Sequence, residues 1–274
     1  MSSALIHTSF YRFTPLADPE AVARHLREIC GHVQGSILVA PEGLSGVAAG
    51  TAEHIAAFEQ ALLTDAPFAD VFTGMAFKRS SCNTPPFARM KVHVKPEIVA
   101  FGVDGVTAVA PDDTHVSPQA WRTLIQRDDV VVIDNRNSFE YRLGRFEGAI
   151  DPQVDNFRDF AQWVQARAPQ WREQGKTVAM YCTGGIRCEK TSTWMQEQGL
   201  SVRQLQGGIL NYFQSLPDAE LDWQGECFVF DNRIAINTRM QETETTARQV
   251  YDPASPDEAW RLTRALRLDA ATDE

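Results

Sequence analysis

The 274-residue sequence lacks any apolar run near the roughly 18 residues that a membrane span needs. Its opening, MSSALIHTSFYRF, has neither a basic stretch nor a long apolar one, so no secretory leader is expected there. Cysteine is sparse: Cys30, Cys82, Cys182, Cys188 and Cys227 are odd in number and far apart. That pattern excludes a disulfide framework and fits a reducing, cytoplasmic setting. Basic residues are in deficit, 26 against 36 acidic, for a net charge of −10, which excludes a globally basic nucleic-acid binder but leaves room for a local patch. The six histidines show no metal-ligand spacing, and no GxGxxG fingerprint points to a flavin or nicotinamide. No cofactor, no metal and no stable protein partner is therefore evident. What is present is a 43% hydrophobic content, enough for a real core.

Residues 4–14 read as a strand closed by Pro15. A helix is expected over 19–30, with Asp18 as N-cap and Pro19 at the first position. GSILVAPEGLSGVAAG (35–50) reads as strand, turn and strand. Thr51 caps a second helix, and 86–101 brings further strand signals. The order β-α-β-β-α-β is a ferredoxin-like α+β pattern over 1–103. The acidic, glycine- and proline-bearing stretch 104–117 is expected to be a linker. From 118 to 228, helical signals alternate with buried-strand runs such as VVVID (130–134) and TVAMYC (177–182), which implies an α/β domain with a parallel sheet. Residues 229–274 are expected to form a partly mobile C-terminal extension.

Active sites of such sheets lie beyond the carboxyl ends of the strands, and Cys182 stands at one. After it, Thr183, Gly184, Gly185 and Ile186 lead to Arg187 at the start of a helix. Glycines let backbone N–H groups turn inward, and a helix N-terminus adds positive potential. Such settings lower a thiol pKa from about 8.5 into roughly the 3.5–7.5 range, which makes Cys182 a candidate nucleophile. Cys188, six positions on, is either a resolving thiol or a small core-facing residue; its spacing does not suit zinc.

Spacing sets the chemistry. Cysteine phosphatases place arginine six positions after the nucleophile; here Arg187 is five after Cys182, so the loop should hold something smaller than phosphate, such as one sulfur atom. This resembles the rhodanese active loop. VVIDNRNSFEYRLGRFEGAI (131–150) agrees, keeping Asp134, Arg136, Glu140, Tyr141, Gly148 and Ala149 of the rhodanese pattern and departing from it at Arg145 and Phe146. LQGGILNYF resembles the closing helix of the same domain. Asp134 and Arg136 are read as loop braces rather than reacting groups. PEGLSG (41–46) is read as a hairpin turn or a substrate contact, with Glu42 its one ionisable group.

YCTGGIRCEK, APEGLSG, FKRSSCNTPPFARMKVHVKPEIVAFG and GECFVFDNRIAIN together resemble the tRNA uridine hydroxylase family, over about residues 5–237. The resemblance implies an acylphosphatase-like domain before a rhodanese domain. It also implies oxygen-dependent 5-hydroxylation of wobble uridine 34, with tRNA as partner, molecular oxygen as co-substrate and Cys182 as the active-site residue. A sulfurtransferase is the alternative activity. This chain has no cysteine after Cys227, unlike longer family members with a cysteine-rich end. Between Lys78 and Lys95 stand five Lys/Arg and no acid. Lys91, His93 and Lys95 alternate with valines, so a strand would put them on one face; Arg89 shares their parity, and Lys78 and Arg79 are near in sequence. By themselves these residues suit a solvated face; with the resemblance they are candidate tRNA contacts, and Phe77 and Phe87 candidate stacking residues.

Overall fold

Asp18, Thr51 and Ser117 each begin a helix in the way their sequence positions suggest. In a computed structural model describing residues 5–270 apart from 66, 67, 69, 84, 107 and 109–111, each side-chain oxygen accepts a backbone N–H, from Ala21 (2.9 Å), His54 (3.2 Å) and Ala120 (3.3 Å). The chain divides into two units. One holds Met1–Val99 with Asp231–Arg233, the other Ala100–Phe230 with Ile234–Arg267.

The first unit runs β1 (Leu5–Phe13), α1 (Pro19–Ile29), β2 (Gln34–Ala40), β3 (Gly43–Gly50), α2 (Ala52–Thr64), β4 (Phe77–Cys82) and β5 (Met90–Val94). Its sheet has the order β4-β1-β3-β2-β5. The first four strands are antiparallel neighbours, as the β-α-β-β-α-β reading requires. The closing strand of that motif is β4, whereas the sequence signals had favoured the 86–101 stretch. β5 lies within that stretch but is a fifth, edge strand parallel to β2. FKRSSC escaped notice because its half-buried, polar alternation carries little β signal.

Even-numbered residues of β1 face the helices. Phe10, Ile37, Val39, Leu44 and Ala48 pack there with Leu26 of α1 and Ile55, Phe58 and Leu62 of α2. The hairpin turn between β2 and β3 explains PEGLSG. Gly43 has φ 142°, and a Cβ on it would stand 2.1 Å from the Arg12 carbonyl oxygen. Glu42 braces the turn by accepting the Ile98 N–H at 2.8 Å.

The second unit runs β6 (His115–Val116), α3 (Pro118–Leu124), β7 (Val130–Asp134), α4 (Ser138–Leu143), β8 (Gly144–Phe146), α5 (Phe160–Glu173), β9 (Thr177–Tyr181), α6 (Ile186–Glu197), β10 (Ser201–Leu205), α7 (Gly208–Ser215), β11 (Trp223–Gly225), β12 (Cys227–Phe228), β13 (Ala235–Ile236), α8 (Ala247–Val250) and α9 (Pro256–Ala270). Its main sheet is parallel, in the order β6-β10-β9-β7, and brings the ends of β7 and β9 side by side, with Asp134 opposite Tyr181. Two apolar clusters pack on the sheet, one around Trp121, Phe146 and Tyr212, the other around Phe160, Val164, Met180 and Met195.

One expectation needs correction. His115 and Val116, placed in a linker by composition, form β6 on β10. Part of the C-terminal extension packs on the second unit: Ala247, Val250, Tyr251 and Leu262 cluster with Phe139 of α4 and Phe228 of β12. On α9 the packed residues Leu262, Ala265 and Leu266 recur at helical spacing. Residues 271–274 lie outside the described residues.

Candidate active site

Strand β9 delivers Cys182 to the carboxyl edge of the parallel sheet, and α6 begins four residues later. The turn between them works because Gly185 takes φ 100°. Its N–H then donates to the Cys182 sulfur at 3.2 Å. The carbonyls of the loop point the other way: those of Cys182 and Thr183 accept the N–H groups of Ile209 (3.0 Å) and Leu210 (3.1 Å) in the first turn of α7. Gly208 makes that approach possible. It has φ 69°, and a Cβ there would lie 2.4 Å from the Cys182 oxygen. The Gly207–Gly208 pair seen in the sequence is thus the buttress of the loop.

The Cys182 sulfur is fully buried. Burial alone pushes its pKa up. A hydrogen bond from the Cys188 thiol, the Arg187 charge and backbone N–H groups outweigh that and lower it to about 6. Cys188 is the reverse case: burial, then its bond to Cys182, hold its proton on, well above the ordinary range. Cys30 and Cys227 are raised by burial to about 12. Cys188 is itself fixed near Thr191 and the Asn135 side chain, whose Nδ2 stands 4.0 Å from its sulfur and 3.0 Å from Thr191 Oγ1.

Arg187 is buried and forms a two-armed pair with Glu140: Nη1 and Nη2 donate at 2.8 Å each. Burial raises the Glu140 pKa, but the Arg187 charge and hydrogen bonds overcome it, so the carboxyl sits below its usual range. Glu140 also accepts the Asn137 N–H (3.1 Å) and the Thr183 hydroxyl (3.4 Å). Gly184 and Ile186 are half-buried, and a Cβ at Gly184 would meet open space. Glu140 is the site residue that sequence reasoning missed. It was noted only as part of a motif; its signal was the Asn-x-x-Glu spacing of a capping box at the start of α4.

Asp134 and Arg136 sit beneath the loop. Arg136 donates to Asp134 through Nε (2.8 Å) and Nη2 (2.6 Å), and to the Gly144 carbonyl (2.6 Å). The Tyr181 hydroxyl donates to the same carboxylate at 2.8 Å. Both charges are fully buried, so the pair ties the end of β7 to the end of β9, one residue before Cys182. The two departures from the usual rhodanese stretch have clear environments. Phe146 is the hub of a ring cluster, with Trp121, Tyr181, Tyr212 and Trp223 centroids within 4.8–5.8 Å. Arg145 lies over Tyr141 at 4.9 Å.

The candidate RNA contacts lie in the first unit and divide between two faces of its sheet. One row of register partners crosses all five strands: Lys78, Ser9, Val47, Ser36, Lys91. Lys78 and Lys91 therefore share the face away from the helices, at opposite edges, about 19 Å apart at ~4.8 Å per strand. His93 is on that face next to Lys91, while Arg89 and Lys95 are exposed at the two ends of β5. Arg79 points to the helix side, where it pairs with the buried Glu59 of α2 through Nε at 3.0 and 3.1 Å. Phe77 is packed in the core beside Phe10, and Phe87 stacks on His7. Among the described residues no group of three or more His, Cys, Asp or Glu is placed to hold a metal, and no helix is long and apolar enough to cross a membrane.

Residues 5–98 match the UPF0176 acylphosphatase like domain, and residues 117–215 the Rhodanese-like domain. A protein named tRNA uridine(34) hydroxylase from Synechococcus elongatus is 46% identical over 242 residues, 87% of each chain. Relatives with the same name are 40% identical in Legionella pneumophila, over 90% of this chain and 96% of that one, and 41% identical in Nitrobacter winogradskyi, over 91% and 98%. With this identity along nearly the whole chain, an acylphosphatase-like unit, and a rhodanese-like unit whose loop encloses a buried cysteine, the chain belongs to the tRNA uridine(34) hydroxylase family.

Proposed function

We propose that this protein hydroxylates C5 of uridine 34 in tRNA, with dioxygen as co-substrate and Cys182 as the reacting residue. The observation that carries the reading is the Cys182 loop itself, with the Gly185 N–H on the sulfur and Arg187 held in place by Glu140, in a chain 46% identical to a protein named for that activity. The Arg187 charge and the backbone N–H groups favour the thiolate form of that sulfur. A thiolate adds to C6 of a uracil ring, charge moves onto O4, and C5 becomes the nucleophilic carbon. Once C5 carries oxygen and has lost its proton, the C6–S bond breaks and the thiolate returns. One atom of dioxygen goes to C5. The other leaves as water, with two electrons and two protons from a thiol reductant. Glu140 keeps Arg187 beside the sulfur, and the α7 buttress keeps the loop N–H groups turned toward it. The helix-free face of the first unit supports an RNA partner: Lys78, Lys91 and His93 lie on it, and none of its strand residues is acidic.

A second reading, sulfur transfer through a Cys182 persulfide, is favoured by the short loop, which suits one added sulfur atom. Against it, Nη1 and Nη2 of Arg187 already donate to Glu140, so those two arms are not offered to an anionic sulfur donor. The purified protein, incubated in air with tRNA bearing uridine 34 and a thiol reductant, is expected to yield 5-hydroxyuridine by nucleoside mass spectrometry, and Cys182→Ser none. Sulfur release from thiosulfate that tRNA leaves unchanged, without that product, would establish the transferase instead.

A further inference from the structure

We propose that Phe230 is the base-stacking platform of the catalytic loop, holding one face of an unstacked pyrimidine beside Arg187. The inference rests on the uridine-34 reading and adds a binding residue to it. Large exposed apolar side chains among the described residues are Ile150, Leu221, Phe230 and Trp260, and Phe230 is 57% exposed. Phe230 stands against the loop arginine: the Arg187 guanidinium carbon is 5.9 Å from its ring centroid. Both nitrogen arms of that guanidinium are already taken by Glu140. What Arg187 offers on the Phe230 side is therefore a flat cationic face next to an aromatic one.

The ring is held in place. Phe230 lies in the turn that joins β12 to β13, closed by the Val229 N–H donating to the Ile234 carbonyl at 2.9 Å. Within the turn the Asp231 carboxylate takes the Arg233 N–H (3.0 Å), Nε (2.8 Å) and Nη2 (2.6 Å). Ile234 adopts φ 61°, a left-handed conformation that a β-branched residue takes only when its surroundings impose it. Phe228 packs at right angles to Phe230 with centroids 4.9 Å apart, and Phe139 at right angles to Phe228 at 5.1 Å. Phe139 is the neighbour of Glu140, so the stack of rings and the Arg187 pair spring from the same turn of α4. A fixed turn that leaves a phenyl ring in water gives up the free energy of burying it. A planar base that leaves its own stack recovers that term, and every base has a face to offer.

The test uses the full chain and tRNA carrying 4-thiouridine at position 34. Near-ultraviolet irradiation is expected to cross-link that nucleotide to Phe230, mapped by mass spectrometry. In turnover with ordinary tRNA, Phe230→Ala is expected to lower kcat/KM for 5-hydroxyuridine about 5- to 150-fold, the range for losing one base–aromatic stack. Phe230→Trp should stay within about threefold of the wild type and Phe230→Leu should behave as alanine, all with unchanged circular dichroism. Wild-type rates for Phe230→Leu, or a cross-link that maps elsewhere, would overturn the proposal while leaving the hydroxylase reading intact. A cross-link at Phe230 with no 5-hydroxyuridine from the wild type would do the opposite: the stacking stands and the hydroxylase reading falls.

Discussion

Cys182 has no exposed surface, and burial by itself would keep its sulfur protonated. The balance is tipped by neighbours within a few residues, among which the Cys188 thiol is the largest favourable contribution. Cys188→Ala removes that donor and should raise the Cys182 pKa above 6; Cys188→Ser keeps a donor and should leave it lower than the alanine variant. Thiolate absorbance near 240 nm against pH, with Cys182→Ser as blank, reads both. The sequence showed the two sulfurs, the glycines and the arginine, because those residue types are rare and their spacing is local. It did not show that Cys188 donates to Cys182, since this depends on how the first turn of α6 is rotated. Nor did it show Glu140 as the holder of Arg187, 47 residues away.

The Cys182 loop is shaped by an element that follows it, α7. The glycine pair before that helix was legible as a motif, but its purpose was not, because no residue pattern announces that a helix N-terminus will bond to the carbonyls of a distant turn. Gly208→Ala puts a Cβ 2.4 Å from the Cys182 oxygen and an L side chain at φ 69°. It should destabilise the second unit by about 2–3 kcal/mol and return the Cys182 pKa toward that of an ordinary thiol. Urea midpoints and the same absorbance titration measure the two effects. Strand β5 shows the opposite kind of legibility. KVHVKP was read correctly as alternating because period-2 patterning survives at a sheet edge; which strand closed the motif was not, because pairing partners are set by packing across the sheet.

For the molecule as a whole, charge and pH are the levers. The row Lys78–Ser9–Val47–Ser36–Lys91 places cations at both edges of one face in a chain of net charge −10. Lys78→Glu with Lys91→Glu should weaken tRNA binding and reduce the slope of log affinity against log salt by about 2, which filter binding at several salt concentrations would detect. Arg79→Glu should instead cost stability, since its partner is the buried Glu59. His7 adds a pH dependence. Burial and the nearby Arg233 lower its pKa from 6.5 to about 4, with Asp231 opposing. The unfolded chain takes up a proton at His7 before the folded one does, so this contribution is complete above pH 6.5 and lost as pH falls toward 4. The loss is roughly 3 kcal/mol at most, read from urea midpoints of wild type and His7→Gln across that window. His7 carried no flag in the sequence, because the Asp231–Arg233 segment that surrounds it is more than 220 positions away.

The central claim is that the buried, acidified Cys182 acts on uridine 34. Its most direct test is nucleoside mass spectrometry of tRNA from cells that lack this protein, complemented with the wild type or with Cys182→Ser. The account predicts that 5-hydroxyuridine disappears, returns with the wild type and stays absent with Cys182→Ser. Full restoration by Cys182→Ser would contradict it.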